Sequence, residues 1–223
     1  MAPSLSVDYN CTKMLDHLYL GGHEVTTERE MMRDTLKITH IINVTTESDC
    51  HFLDDFKYLH VRLADSPDRN KADLLGVLDQ AFACIEEARN SEKGAALVHC
   101  SVGMSRSASV AIAYLMRFQQ MTLYDAFVFT KTKRPVTAPN CGFMEQLIEY
   151  ERRLFGGVIS FSLDKYKETL RMYDEITGDI KAMGMLMVHL TFDHEKYELI
   201  NGKLKFRDHI KDAYAKMRFL LAS

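Results

Sequence analysis

The stretch His99-Cys100-Ser101-Val102-Gly103-Met104-Ser105-Arg106-Ser107 decides how this chain folds and what it can bind. It follows a short apolar run, Ala95 to Val98, which is typical of a buried strand, and it leads into an apolar helical run, Ser107 to Phe118. A strand, a tight loop and a helix N-terminus in succession bind anions, because the free N–H groups and the helix dipole both favour negative charge. The stretch therefore predicts a phosphate site.

Cys100 is the candidate nucleophile of this site. The helix N-terminus and Arg106, six residues further on, both favour its thiolate form, and the planar fork of Arg106 can hold two phosphate oxygens. Gly103 allows the loop to curl around a ligand. Ser107 can donate a hydrogen bond to the Cys100 sulfur and stabilise it as a leaving group. His99 is expected to orient the loop rather than to act as a base.

The backbone N–H groups of the loop complete the predicted phosphate site. The residues expected to bind the phosphate are His99, Ser101, Val102, Gly103, Met104, Ser105 and Arg106. The other cysteines are interpreted differently. Cys84 is expected to be buried and inert, and ordinary packing is also favoured for Cys141 over a disulfide with Cys100.

The leaving alcohol or phenol needs a proton, which a carboxylic acid on a nearby loop can supply. The polar loop 64–71 offers two, Asp65 and Asp68. Asp65 comes directly after a strand that ends at Leu63, where a side chain can reach over the edge of the sheet. Asp68 lies further into the loop and is more typical of a solvated or capping residue. Asp65 is therefore the preferred general acid, with Asp68 as the alternative.

The composition is that of an ordinary soluble globular protein. The chain has 223 residues, 47% of them hydrophobic, with a formal charge of −3 and no basic block, so nucleic-acid binding is not expected. Five widely spaced cysteines without a Cys-x-x-Cys pair argue against a disulfide framework and against structural zinc. No apolar run is long enough to span a membrane, and the N-terminus has no apolar signal core. We expect a cytoplasmic or nuclear location, or both.

Strand and helix patterns alternate along most of the chain, which predicts an α/β fold with a mixed, mostly parallel sheet flanked by helices. The predicted strands are 18–20, 40–44, 58–63 and 95–98, and the predicted helices are 24–36, 72–88, 107–118, 123–131 and 142–155. Residues 1–13 are interpreted as a loose lead-in. Gly156-Gly157 is the candidate domain boundary, which separates a catalytic domain of residues 14–156 from a C-terminal extension of residues 157–223.

The extension is predicted to be folded and mainly helical. Asn201-Gly202 is a strong turn signal and predicts a hairpin over 197–206. An amphipathic pattern predicts a last helix over 210–221, and a methionine-rich stretch, 183–187, suits flexible packing. We expect this extension either to cover the catalytic domain or to form a homodimer.

Residues 14–156 resemble the catalytic domain of the dual-specificity phosphatases, within the protein tyrosine phosphatase superfamily. Cys100 and Arg106 match the superfamily signature Cys-x5-Arg. Leu18 to Gly21 is similar to the family's opening strand, Ala64-Asp65-Ser66-Pro67 to its general-acid loop, and 134–147 to its closing segment. The resemblance is nearest to the small atypical subgroup related to MAP kinase phosphatase 6.

The resemblance implies hydrolysis of phosphotyrosine and phosphoserine/threonine in two steps through a phosphocysteine on Cys100, with no metal and no cofactor. It also implies phosphoprotein substrates, among them components of MAP kinase pathways. Several alternatives stay open. One is a catalytically weak scaffold that only binds phosphorylated partners. Others are sulfur transfer or arsenate reduction on the same Cys-x5-Arg loop, and a phosphatase for a lipid or RNA, although the uncharged loop interior disfavours lipid.

Overall fold

The structure, a computed structural model, describes residues 11–92, 94–168 and 170, and the backbone of two further strands near the C-terminus. The chain divides into two compact units, residues 1–166 and 167–223. In the first unit the strands are β1 (Cys11–Leu15), β2 (Leu18–Gly21), β3 (Ile38–Asn43), β4 (Lys57–His60) and β5 (Ala95–His99). Its α-helices are α1 (Leu75–Asn90), α2 (Arg106–Phe118), α3 (Leu123–Lys133) and α4 (Cys141–Leu154).

The five strands form one mixed sheet in the order β1-β2-β5-β3-β4. β1 pairs with β2 in antiparallel fashion, and the other neighbours are parallel, as the sequence pattern predicts. Within the parallel part, Gly21 and Asn43 both lie opposite His99, and His60 lies opposite Asn43. The carboxyl ends of these strands therefore meet at one edge of the sheet, and the loops that follow them gather around the residue after His99.

The core lies on both faces of β5. On one face, residues of β3 and β5 form a hydrophobic cluster with residues from the segments before and after β3. The buried members of this cluster are Val25, Met32, Ile38, Ile41, Phe56, Ala95 and Leu97. Helix α2 contacts β5 as well as α1, α3 and α4, and its residues from Arg106 to Met116 are all buried. Because α2 is buried on all sides, the loop at its N-terminus is held rigidly.

Three local predictions differ from the structure. The strand predicted over 58–63 is β4, Lys57–His60, so Asp65 lies five residues beyond the strand and not directly after it. Residues 11–15 form the edge strand β1, although the lead-in was expected to be loose. The predicted helix over 24–36 is two short turns, a 3-10 turn at His23–Thr27 and a π-type turn at Met31–Thr35. The hydroxyls of Thr26 and Thr27 donate to the carbonyls of His23 and Glu24, and such local bonds close a short turn in competition with a continuing α-helix.

The first unit also extends further than the boundary expected at Gly156-Gly157. Phe161 and Tyr166 are completely buried within it, because the chain after α4 packs on α3. The second unit contains strands β6 (Tyr197–Ile200) and β7 (Lys203–Phe206), which pair in antiparallel fashion where the hairpin was expected. The methionine-rich stretch, the predicted last helix and the expected dimer surface lie outside the described residues.

Candidate active site

The loop between β5 and α2 is a cradle whose carbonyl groups point away from its centre. Cys100 opens it and is almost completely buried. Ser101 O accepts from the backbone N–H of His23 (2.9 Å), and Met104 O accepts from that of Ala138 (2.9 Å). The carbonyls in between, of residues 102 and 103, both accept from the guanidinium of Arg134. Because successive carbonyls face outward, the N–H groups of the loop are the polar groups that face a ligand.

Arg134 is the side chain that fixes the outer face of this loop. Its Nε donates to Gly103 O (2.7 Å), and its Nη2 donates to Val102 O (2.8 Å). Gly103 has a φ of +73°, a conformation that glycine adopts without strain. The sequence placed Gly103 in the loop, but it did not identify the role of Arg134, which lies 31 residues further on.

The surroundings of the Cys100 thiol favour its ionised form. Burial alone would oppose ionisation. However, Sγ accepts hydrogen bonds from the hydroxyl of Ser107 (3.2 Å) and from the N–H of Gly103 (3.2 Å), and the positive charge of Arg106 is close. These interactions outweigh burial, and the pKa of Cys100 falls below its ordinary value. In contrast, burial raises the pKa of Cys84 to about 11, so that this second buried thiol stays protonated.

Arg106 begins α2, and its guanidinium is turned back over the loop. Its Nη1 and Nη2 donate to the two carboxylate oxygens of Glu47, at 2.9 and 2.6 Å, and Nη2 also donates to Ser101 Oγ (2.8 Å). Its Nε makes no hydrogen bond within the described residues and lies 3.6 Å from Asp65 Oδ2. Nε is therefore a buried donor whose hydrogen bond is not used by any group of the described residues.

Glu47 was not identified from the sequence. It follows β3 at the same sheet edge, four residues after Asn43, and this position is the only sequence signal it gave. The hydrogen bonds from Arg106 hold the pKa of Glu47 far below its usual range, and Ser101 and Thr46 add to the effect. An ionised Glu47 keeps the guanidinium end occupied and the Arg106 side chain fixed.

Asp65 reaches the same loop from the segment that follows β4. Its Oδ1 accepts from Ser105 Oγ (2.8 Å) and from Asn140 Nδ2 (2.8 Å). Asn140 is the N-cap of α4, where its Oδ1 accepts from Phe143 N (3.0 Å). With Oδ1 held by two donors, Oδ2 is the oxygen left to carry a proton toward a leaving group.

Asp68, the alternative acid, is used differently. Its Oδ1 accepts from the backbone N–H of Asn70 (3.0 Å), which closes a turn at the surface. Its hydrogen bonds are to its own loop, and the structure brings Asp65, not Asp68, into contact with the Cys100 loop. The geometry therefore favours the assignment of Asp65 over Asp68.

His99 is completely buried behind the loop. Burial lowers its pKa to about 4, so the ring is neutral at ordinary pH. Its Nδ1 lies 3.4 Å from Cys100 O, and its ring lies 6.2 Å from that of His23. A neutral buried ring supports the loop from behind and is not placed to act as a base on solvent or substrate.

Part of the surface around the cradle is apolar and uncharged. Val102, Met104 and Val136 are among the large hydrophobic side chains that remain exposed.

Across residues 11–92 and 94–168, no group of three histidine, cysteine or acidic side chains is placed to hold a metal ion. In the same part of the chain, every helix is too short or too polar to cross a bilayer.

Comparisons with known proteins point to one family. Residues 18–153 match the family model for the catalytic domain of dual specificity phosphatases. The chain is 38% identical over 154 residues to dual specificity protein phosphatase 18 of Pongo abelii, covering 69% of this chain and 78% of that protein. It is 40% identical over 139 residues to human dual specificity protein phosphatase 14, covering 62% and 68%.

A solved structure shows the same fold. The crystal structure of human DUSP28 superposes with a TM-score of 0.61 at 34% identity, covering 66% of this chain and 97% of that one. Residues 18–153, which match the family model, contain the β5–α2 loop, the Asp65 loop and the N-terminus of α4.

Proposed function

Because the chain belongs to the dual specificity phosphatase family, we propose that it hydrolyses phosphotyrosine and phosphoserine/threonine of proteins with Cys100 as nucleophile and Asp65 as general acid. One observation carries the proposal. Ser105 and Asn140 hold the Asp65 carboxyl against the same loop in which Ser107 and Gly103 hold the Cys100 sulfur. Nucleophile, phosphate cradle and acid are thereby brought into one site.

In the first step the phosphate dianion lies on the loop amides and on the Nε edge of Arg106. The Cys100 thiolate attacks phosphorus, a sulfur–phosphorus bond forms, and the bond to the substrate oxygen breaks. Asp65 gives its proton to that oxygen, so the alcohol or phenol leaves neutral. The cradle stabilises the negative charge of the equatorial oxygens throughout the transfer.

In the second step a water molecule replaces the departed alcohol. The Asp65 carboxylate takes a proton from this water, which attacks phosphorus and releases inorganic phosphate. The Cys100 sulfur leaves as a thiolate, and the hydrogen bonds from Ser107 Oγ and Gly103 N–H stabilise its charge. These are the same bonds that lower the pKa of Cys100 in the free protein.

Two substitutions test the assigned roles. Cys100→Ser is expected to abolish turnover of para-nitrophenyl phosphate and to retain binding of a phosphotyrosine peptide, whereas Cys84→Ser, a change at the other buried cysteine, is expected to retain turnover. Asp65→Asn is expected to lower kcat/KM for phenyl phosphate by about 10²-fold or more, and to change it little for difluoromethylumbelliferyl phosphate. The second substrate has a leaving group that departs without protonation.

The ratio of these two kcat/KM values, phenyl phosphate over the umbelliferyl ester, is called the leaving-group ratio below. It reports only the step up to the departure of the alcohol, since both substrates then share one intermediate. Full activity of Cys100→Ser would refute the nucleophile. An unchanged ratio in Asp65→Asn, together with a lowered ratio in Asp68→Asn, would transfer the acid role to Asp68.

The second candidate function is that of a scaffold that only binds phosphorylated partners. It predicts no turnover by the unmodified chain under any of these conditions. We further propose, from the resemblance, that the substrates include components of MAP kinase pathways. From the sequence pattern we propose that the chain resides in cytoplasm or nucleus, and that its C-terminal extension forms a homodimer or covers the catalytic domain. Phosphoproteins captured by Cys100→Ser, and sedimentation of the full chain, test the first and last of these.

A further inference from the structure

The chain that follows α4 is built into the first unit. Ser160, Phe161 and Tyr166 lie beyond residue 153, where the match to the family model ends. Nevertheless Phe161 and Tyr166 are completely buried. We call residues 158–166 the strap. Burial of two large aromatic rings removes much apolar surface from water, so the strap is a structural part of the unit that carries the active site.

The strap is anchored at its beginning by the buried carboxylate of Glu151 in α4. Glu151 Oε2 accepts from Ser160 N (2.9 Å), and Oε1 accepts from Ser160 Oγ (2.5 Å) and from Leu123 N (2.7 Å). Ser160 Oγ in turn accepts from Tyr124 N (3.0 Å). A buried carboxylate with all of these donors joins the end of α4, the start of α3 and the start of the strap.

An aromatic cluster then fixes the ring of Tyr166. The ring centroids of Phe127 and Phe161 are 5.3 Å apart, and Phe127 meets Tyr166 edge to face at 5.4 Å. Phe161 also meets Tyr166 edge to face at 5.9 Å. Two contacts on one ring leave little freedom to its position, so the direction of the phenol oxygen is defined by packing.

The hydroxyl of Tyr166 donates to the carbonyl oxygen of Pro139. Burial raises the pKa of this phenol, which keeps it protonated and able to donate. The carbonyl of Pro139 and the N–H of Asn140 belong to one peptide unit, which is planar and rigid. Ser105 Oγ accepts from that N–H (3.1 Å). The same peptide plane is thus held at one end by Tyr166 and at the other by the Cys100 loop.

We propose that Tyr166 is a positioning residue for the general acid, acting through the Pro139–Asn140 peptide. The orientation of this plane determines where the Asn140 side chain starts, and its Nδ2 bonds Asp65 Oδ1 at 2.8 Å. The phenol, the peptide, the amide and the carboxyl form one continuous path. The inference rests on the proposed role of Asp65, and it assigns to the strap a part in proton transfer.

Tyr166→Phe tests the inference because it removes the hydroxyl and keeps the ring. In the full chain, the leaving-group ratio is expected to fall about five-fold, as the loss of one hydrogen bond that orients the acid would give. The kcat/KM for difluoromethylumbelliferyl phosphate is expected to change less than about two-fold, since the path meets the Cys100 loop at Ser105 Oγ and not at the Cys100 sulfur.

Phe161→Leu is the matched control. It weakens the same aromatic cluster but leaves the Tyr166 hydroxyl in place, so it is expected to lower the melting temperature and to lower the leaving-group ratio clearly less than Tyr166→Phe does. Asp65→Asn provides the reference for a lost acid. If Asp65→Asn does not lower the ratio, the general-acid role itself fails.

If Asp65→Asn lowers the ratio and Tyr166→Phe does not, the inference about Tyr166 is wrong and the role of Asp65 stands. An equal loss on both substrates in Tyr166→Phe would also overturn it, since that result indicates general damage to the fold. The same follows if Phe161→Leu lowers the ratio as much as Tyr166→Phe, because packing alone would then do the positioning.

Discussion

Gly142 is the position at which a single methyl group is expected to displace the general acid. It is the second residue of α4, it is buried, and it packs against the Asp65 loop. A Cβ at this position would lie 2.6 Å from Pro67 C and 2.8 Å from Pro67 Cα, and closer still to the oxygen of the same carbonyl. Pro67 lies two residues after Asp65. Gly142→Ala therefore forces the loop and the helix apart.

The size of the effect follows from the overlap. Ordinary contact begins at 3.4 Å, and the opposing atoms are backbone, which cannot rotate away as a side chain can. A displacement on the order of 1 Å at a catalytic group costs up to about 10²-fold in rate. We expect the leaving-group ratio of Gly142→Ala to fall by about 10-fold to 10²-fold, with smaller changes in kcat/KM for difluoromethylumbelliferyl phosphate.

Gly76→Ala is a closely matched control. Gly76 is also the second residue of its helix, α1. The three atoms nearest to a Cβ there all belong to the side chain of Asp73, which is exposed and can turn away. Both variants are assayed on the two substrates in parallel, with melting temperatures. A Gly142→Ala enzyme with the parental ratio would refute the reasoning, as would a Gly76→Ala enzyme with the same loss.

Two further predictions concern the Cys100 loop. Ser107→Ala removes a hydrogen bond to the sulfur, so the pKa of Cys100 should rise, and the pH midpoint of its inactivation by iodoacetate should move upward. Inactivation below that midpoint should then be slower than in the parent enzyme, and an unmoved midpoint would contradict the role of Ser107. Arg134→Lys replaces the planar fork, which donates to Gly103 O and Val102 O from two nitrogens, by a single ammonium, so the inhibition constant for inorganic phosphate should rise about 10-fold while kcat falls. Normal phosphate inhibition would count against Arg134 as the support of the loop.

The sequence predicted the part of the site that is continuous in the chain. From Ala95 to Phe118 the strand, the loop and the helix follow one another, and each is recognisable from apolar runs and from the spacing of Cys100 and Arg106. Strands β2, β3 and β5 were predictable because they are short and largely buried, and β4 because Leu59, Val61 and Leu63 alternate with polar residues. β1 was not, because an edge strand with mostly half-exposed residues has no apolar alternation to detect.

The side chains that complete the site come from distant parts of the chain. Glu47 meets Arg106 across 59 residues, and Asn140 meets Asp65 across 75. Arg134 reaches the loop across 31 or 32 residues. Such pairs depend on how helices and strands pack, and a pattern along the chain contains no information on them. Only the sheet edge, where the carboxyl ends of β2, β3 and β5 meet, predicts which loops come together.

The predicted domain boundary, Gly156-Gly157, lies before the end of the first unit at Tyr166, and the two glycines show why. In a sequence, two glycines after an amphipathic helix indicate a linker as well as a helix end, and both interpretations fit. In the structure the pair ends α4, with Gly157 N donating to Arg152 O (2.9 Å), and turns the chain toward α3. Phe161 and Tyr166 are aromatic residues at positions where a linker would be polar. Tyr166 is linked to Asp65 through the Pro139 carbonyl and the side chain of Asn140. A catalytic domain that ends at residue 156 lacks Tyr166, so we expect it to keep its nucleophile and to lose the positioning of Asp65.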